Sequence, residues 1–166
     1  MNRAALRDLF DYTGWAWEQV REAVPRDEML VAAAPGSGWP NLRNCLAHII
    51  LAYDRWVPAI VDLAAEPLPE PAGRDFRIWG QIDAQRARTR AGLEAALDRW
   101  SDDELQQLHE VDIDGAPVQY SRAELILHLL LHERGHHGDV TTLFWQLGLG
   151  EETMLEYRFH LGRHER

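Results

Sequence analysis

Apolar residues return at helical spacing through four long stretches of the chain. Leu6, Phe10, Trp17, Val20 and Val24 fall at three-, four- and seven-residue steps, which predicts a first helix over about Arg3–Val24, ended by Pro25. A second helix is expected from near Pro40, a residue suited to a first helical turn. It carries Leu42, Cys45, Leu46, Ile49, Ile50, Tyr53, Trp56 and Val57. Pro58 lies inside that pattern and is expected to kink or break it, because proline has no N–H and crowds the preceding turn. Ile78, Ile82, Leu93 and Leu97 mark a third helix over about Phe76–Trp100; its polar middle, DAQRARTR, points to partial exposure. The fourth opens on the capping box Ser121-Arg122-Ala123-Glu124 and runs to Gly148, a natural C-cap.

The connections read differently. AAAPGSGWPN follows the first helix as a loop. AAEPLPEPAGRDF follows the second, and its closely spaced prolines deny it helix or central strand. Ser101-Asp102-Asp103-Glu104 has the form of a capped start to one more short turn. HEVDIDGAPVQY places β-branched residues on both sides of Asp114-Gly115 and is read as a small hairpin or an ordered loop. The tail offers Met154, Leu155, Tyr157, Phe159 and Leu161 for packing on the domain or on another subunit. With no internal repeat and no second domain in view, the expectation is all-α. It is a four-helix bundle with elaborated inter-helix loops, one domain over residues 1–166.

Composition narrows the partners. The 166 residues are 46% hydrophobic and include seven Trp, enough for one sizeable core. A formal net charge of −10 repels nucleic acid and anionic membrane, so neither is expected as a partner. The single cysteine, Cys45, excludes an internal disulfide and any CxxC site. The N-terminus has no apolar signal region, and no stretch approaches the roughly 18–20 apolar residues of a membrane span. A cytoplasmic protein is expected.

The candidate chemistry lies in the fourth helix. His132-Glu133-Arg134-Gly135-His136 spells the H-E-x-x-H string of zinc proteases. His128, His132 and His136 follow one another at i, i+4 and i+8, so they share a face. Leu125, Leu129 and Leu143 interleave that face, which is therefore expected to point at the core. His128 and His136 lie about 12 Å apart along the axis, too far to share an ion, so one adjacent pair has to be chosen. His48 is the sole histidine on another predicted bundle helix. With an i, i+4 pair it brings three imidazoles to one point and leaves positions open, the layout of a catalytic metal site. Nitrogen ligation suits Zn, Ni, Fe or Cu. His137 points about a quarter-turn away, expected to support the ligands or to be exposed. Cys45 is read as a fourth ligand or a buried core thiol. Arg55 is read as a contact for an anionic thiol or as a surface ion-pair residue.

Together these residues resemble the DinB/YfiT-like family of four-helix metalloproteins. An aromatic "Y-x-x-W-A" start appears as Tyr12-Thr13-Gly14-Trp15-Ala16, and a second-helix "L-x-H" pattern as Leu46-Ala47-His48-Ile49 with Trp56 beyond. The fourth-helix H-x-x-x-H-R-G-Q appears as His132-x-x-x-His136-His137-Gly138-Asp139, with Leu147-Gly148 following. The resemblance implies a metal triad of His48, His132 and His136, holding a divalent transition metal, zinc or nickel. It leaves His128 as a neighbour in the core. His137 and Asp139 depart from the family's Arg and Gln beside the last ligand, where they would alter the ligand's surroundings or the substrate's contacts. It further implies a thiol S-transferase, joining a low-molecular-weight thiol such as bacillithiol, mycothiol or glutathione to a small electrophile, and a homodimer.

Two other readings stay open. In a zincin-type hydrolase, Glu133 would be the general base and Glu152 or Glu156 a further ligand. Against it, no sheet edge is predicted to hold a peptide, and the longer metzincin spacing fails at Gly138. Outside such a site Glu133 reads as a solvated helix residue or an acid near the ligands. The other alternative is a non-catalytic bundle whose metal is structural or regulatory.

Overall fold

A computed structural model describes residues 1–36, 38–62, 76–113, 115–149 and 155–161. Helix α1 (Arg3–Ala23) begins where the Asn2 side chain accepts the Ala5 N–H, and it buries Leu6, Phe10, Ala16, Trp17 and Val20 on one side. A one-turn helix not expected from the sequence, α2 (Asp27–Leu30), follows. Helix α3 (Leu42–Val61) starts later than Pro40 suggests: Asn41 is the cap and accepts from the Asn44 N–H. Pro58 does not break it. The helix continues to Val61, and the Asp62 N–H closes on the Pro58 carbonyl at 2.8 Å. Pro58 sits within the last turn, so the single hydrogen bond it forfeits ends the helix gradually instead of cutting it.

Helix α4 (Trp79–Arg99) begins three residues after Phe76. Its start is held by tertiary bonds: the Trp79 N–H donates to Asp27 Oδ1 at 2.8 Å and the indole N–H to the Val24 carbonyl at 2.7 Å. The proline-rich connection before it lies almost wholly outside the described residues. The short helix α5 (Asp102–Gln106) carries the Ser101/Glu104 capping box, and α6 (Arg122–Gln146) the Ser121/Glu124 box. Between them β1 (Leu108–Ile113) pairs antiparallel with β2 (Ala116–Ser121), Leu108 opposite Ser121 and Ile113 opposite Ala116. The hairpin reading therefore holds; Gly115 takes φ +83° in the turn, and Asp114 lies outside the described residues. Gly148 closes α6 at φ +76°.

The four long helices α1, α3, α4 and α6 make the bundle, α3 packing on both α4 and α6, and α1 on α6. The middle of α4 is partly exposed, as its polarity suggests, with Ala84, Ala87 and Arg88 at the surface. Gln85, Arg86 and Thr89 are nevertheless buried, so one side of this polar stretch faces the interior. A Cβ on Gly92 would come within 2.9 Å of Val57 Cγ1, which places the backbone of α4 close against α3. The tail folds back through α7 (Tyr157–Leu161), where the Tyr12 hydroxyl donates to the Leu155 carbonyl and the Tyr157 hydroxyl to Asp8. Phe159 and Leu161 remain exposed, and Met154 lies outside the described residues. Among the described residues no helix is long and apolar enough to cross a membrane.

Candidate metal centre

Helices α3 and α6 run side by side, and each presents a histidine edge to the other. His48 Nε2 lies 3.2 Å from His132 Nε2, and His136 Nε2 lies 3.3 Å from the same atom. One ligand-type atom from each ring falls within 4.8 Å of the others. Four nitrogens around a tetrahedral ion at about 2.0–2.1 Å would stand about 3.4 Å apart, so the observed spacing suits such an ion. A neutral imidazole has one N–H and one lone pair. A single proton can bridge His132 to one neighbour but leaves its lone pair, or its neighbour's, facing the other. A cation shared by all three resolves that conflict. Burial, then the neighbouring His136, His48 and His128, push the His132 pKa down to about 4, which keeps the ring neutral and its lone pair available at neutral pH.

The adjacent pair that His48 of α3 approaches is His132 and His136. His128 does not converge on His48; it is exposed and packs edge-on against Trp56, ring centroids 5.3 Å apart. The histidine face is not the core face. His132 and His136 are half-buried, while α6 turns Ile126, Leu129, Leu130, Glu133, His137, Val140 and Phe144 inward. The two faces are neighbours on one helix, and the leucines at 125 and 129 belong to the inner one.

Glu133 decides which face is inner. It is fully buried, accepts a short hydrogen bond from the Tyr53 hydroxyl, and pairs with Arg86 Nη2 at 2.7 Å. Arg90 Nη1 stands 4.0 Å from it and His137 Nε2 3.8 Å. Burial alone would raise its pKa, but Arg86, His137 and Arg90 outweigh burial and hold it far below the usual carboxylate range. Neither a solvated residue nor a base for an ion-activated water fits this place. Its own burial first, and then the charge of the same carboxylate, push the Tyr53 hydroxyl well above its ordinary range. Both arginines reach on to α1: Arg86 donates to the Thr13 carbonyl, and Arg90 to the Thr13 hydroxyl and the Phe10 carbonyl. His137 is correspondingly buried against Tyr12 and Glu133 instead of beside the triad or in solvent.

The remaining candidates fall around the triad. Asp139 Oδ2 accepts from His136 Nδ1 at 2.8 Å and from the indole N–H of Trp39 at 2.9 Å. Burial opposes its ionisation, yet the bonds from Trp39 and His136 lower its pKa overall. Trp39 rests on two triad rings, its centroid 5.1 Å from that of His48 and 5.5 Å from that of His136. The Cys45 thiol is buried, 4.0 Å from the His136 carbonyl, and burial with Asp139 nearby pushes its pKa up. Cys45, His136 and Asp139 also lie within reach of one another, Asp139 being already bonded to His136 Nδ1. The Arg55 guanidinium lies 5.8 Å over Trp56. Glu156 pairs with Arg158 on the surface at 3.0 Å, and Glu152 lies outside the described residues.

Sequence reading passed over Trp39, Tyr53, Arg86 and Arg90. Trp39 sits in a loop without periodicity. The arginines stand four apart in a stretch whose polarity hid its inward face, and that i, i+4 repeat of cations in a core-length helix was the available signal.

The sequence profile of the DinB family matches residues 1–164. Among curated proteins none matches the chain.

Proposed function

The chain belongs to the DinB family, and on that premise we propose that it is a metal-dependent thiol S-transferase. In this reading His48, His132 and His136 hold a divalent transition ion, zinc or nickel, and a low-molecular-weight thiol is joined to a small electrophile. The observation that carries it is the convergence of three Nε2 atoms from two helices on one point at the half-buried surface. Three protein ligands leave coordination open, and an ion so held lowers the pKa of a thiol that reaches it. The thiol sulfur would then bond to the electrophilic carbon as that carbon's bond to its leaving group breaks, the leaving group keeping the electron pair and the thiol proton passing to solvent or to the leaving group. The chain itself supplies no nucleophile: Cys45 is buried and its pKa raised. Its part is to hold neutral imidazoles in register and to wall the site. Trp39 covers the His48 and His136 rings, and Trp56 with His128 borders the same helix pair about two turns along.

The burial of Glu133 among arginines argues against the hydrolase reading, since its oxygens are committed to Tyr53 and Arg86. The test is metal analysis of protein purified without a histidine tag, followed by a panel of thiols against a chromogenic aryl halide. We expect bound zinc or nickel, its loss in His48→Ala, and turnover that a chelator abolishes. Metal retained in His48→Ala would sink the triad. Metal bound without turnover on any thiol would replace the transferase by a structural or regulatory metal bundle.

A further inference from the structure

We propose that Asp139 and Trp39 act as a positioning pair, turning His136 toward the ion and latching the Trp39 indole, just ahead of α3, over the site. This rests on the metal reading above. One oxygen, Asp139 Oδ2, accepts both the His136 Nδ1 bond at 2.8 Å and the Trp39 indole bond at 2.9 Å. A carboxylate only accepts and an indole N–H only donates, so the polarity of the arrangement is fixed. The proton of neutral His136 therefore sits on Nδ1, and its lone pair on Nε2, the nitrogen 3.3 Å from His132 Nε2. Asp139 lies one turn beyond His136 on the same helix, so rotating the ring breaks this bond.

The indole extends the effect across the helix pair. Its ring leans on His136 from α6 and on His48 from α3, so one carboxylate braces a ligand directly and a second through Trp39. His132 has no such brace: its Nδ1 is buried without a hydrogen-bond partner among the described residues. The three ligands are therefore unequal. His136 is set before an ion arrives, His48 is pressed into place by Trp39, and His132 takes its orientation from the other two and the ion.

The test measures Zn²⁺ and Ni²⁺ affinity of the full untagged chain, by competition with a chromophoric chelator. The variants are Asp139→Ala, Asp139→Asn and Trp39→Phe. Asp139→Ala should weaken binding by about 10–100-fold, the usual effect of removing a partner behind a ligating histidine. Asp139→Asn, which keeps an acceptor but not the charge, should fall between it and wild type. Trp39→Phe, which keeps a ring but loses the N–H, should weaken binding less than Asp139→Ala. Independently of any metal, ¹⁵N spectra of the histidine rings should show His136 protonated on Nδ1 in metal-free wild type and a mixed tautomer in Asp139→Ala. The side chain of Asp139 is 44% exposed, so metal-free Asp139→Ala should stay folded with the far-ultraviolet circular dichroism of wild type, separating positioning from folding. Affinity and tautomer unchanged in Asp139→Ala would overturn this inference alone. Wild-type protein that takes up neither ion would overturn the metal reading beneath it.

Discussion

A carboxylate sealed inside a helical bundle has to be held by opposite charge, and Glu133 is held by Arg86 at 2.7 Å with Arg90 at 4.0 Å. Removing it strands those guanidiniums. Glu133→Ala or Glu133→Gln is expected to cost about 3–5 kcal/mol in urea unfolding, the range for breaking a buried pair by deleting one partner. Tyr53→Phe removes one hydrogen bond to a charged acceptor and should cost about 1.5–3 kcal/mol. The folded fraction of Glu133→Gln should still bind metal, whereas a zincin base would leave stability unchanged and remove hydrolysis. The pH dependence follows from two shifts. Glu133 is held below its unfolded value of 4.5, so its contribution is complete above that pH and is lost as pH falls toward its folded value. His132 is lowered from 6.5 to about 4, so between those values the unfolded chain binds the extra proton and stability falls as pH falls through that window. Metal-free protein should therefore lose stability to urea progressively from pH 6.5 downward. A flat profile between pH 6.5 and 4 would contradict the placement of His132. At this scale the sequence marked the right letters in H-E-x-x-H and misplaced the middle one. Spacing puts Glu133 beside the triad histidines along the chain, while its partners, Tyr53 and Arg86, are some 80 and 47 residues away.

Each of α3 and α6 carries two stripes with separate duties. On α3, His48 faces the triad and Tyr53 the buried carboxylate; on α6, His132 and His136 face the triad and Glu133 the interior. The Tyr53–Glu133 bond thus sets the relative rotation of two helices whose other stripes must meet. Spacing between α3 and α4 is set by Gly92. Alanine there would bring a Cβ to 2.9 Å from Val57 Cγ1, so Gly92→Ala should destabilise by about 1–2 kcal/mol despite its better helix propensity. With Val57→Ala as background the same change should become neutral or stabilise by up to about 1 kcal/mol. A double-mutant cycle in urea that shows no coupling would mean the helices do not approach so closely. The capping boxes at Ser101 and Ser121 were legible because the residues that bond lie three apart in sequence. A break at Pro58 does not follow because proline's effect depends on where the helix ends, and that end, Val61, lies only three residues on.

Across the whole molecule, the triad joins residues 84 positions apart and draws on a loop, so metal binding should report on the fold. Zinc or nickel at about a thousand times its dissociation constant should add about 4 kcal/mol to stability, because the unfolded chain has no preformed site. For a chain of this length that is a rise of about 10 °C in the thermal midpoint. His48→Ala should remove the rise and leave the metal-free midpoint near that of wild type, since His48 is only half-buried. The sequence by itself determined the four long helices, the capping boxes at Ser101 and Ser121, the Gly148 cap and the three histidines that meet. Those rest on local periodicity, on bonds three or four residues long, and on motifs that survive as strings. Tertiary structure alone decided that the histidine stripe borders the core without entering it, that Glu133 and His137 turn inward, and that Trp39 and Asp139 brace His136. Those outcomes depend on charges and rings brought together from distant segments, where burial selects partners that no spacing along the chain records.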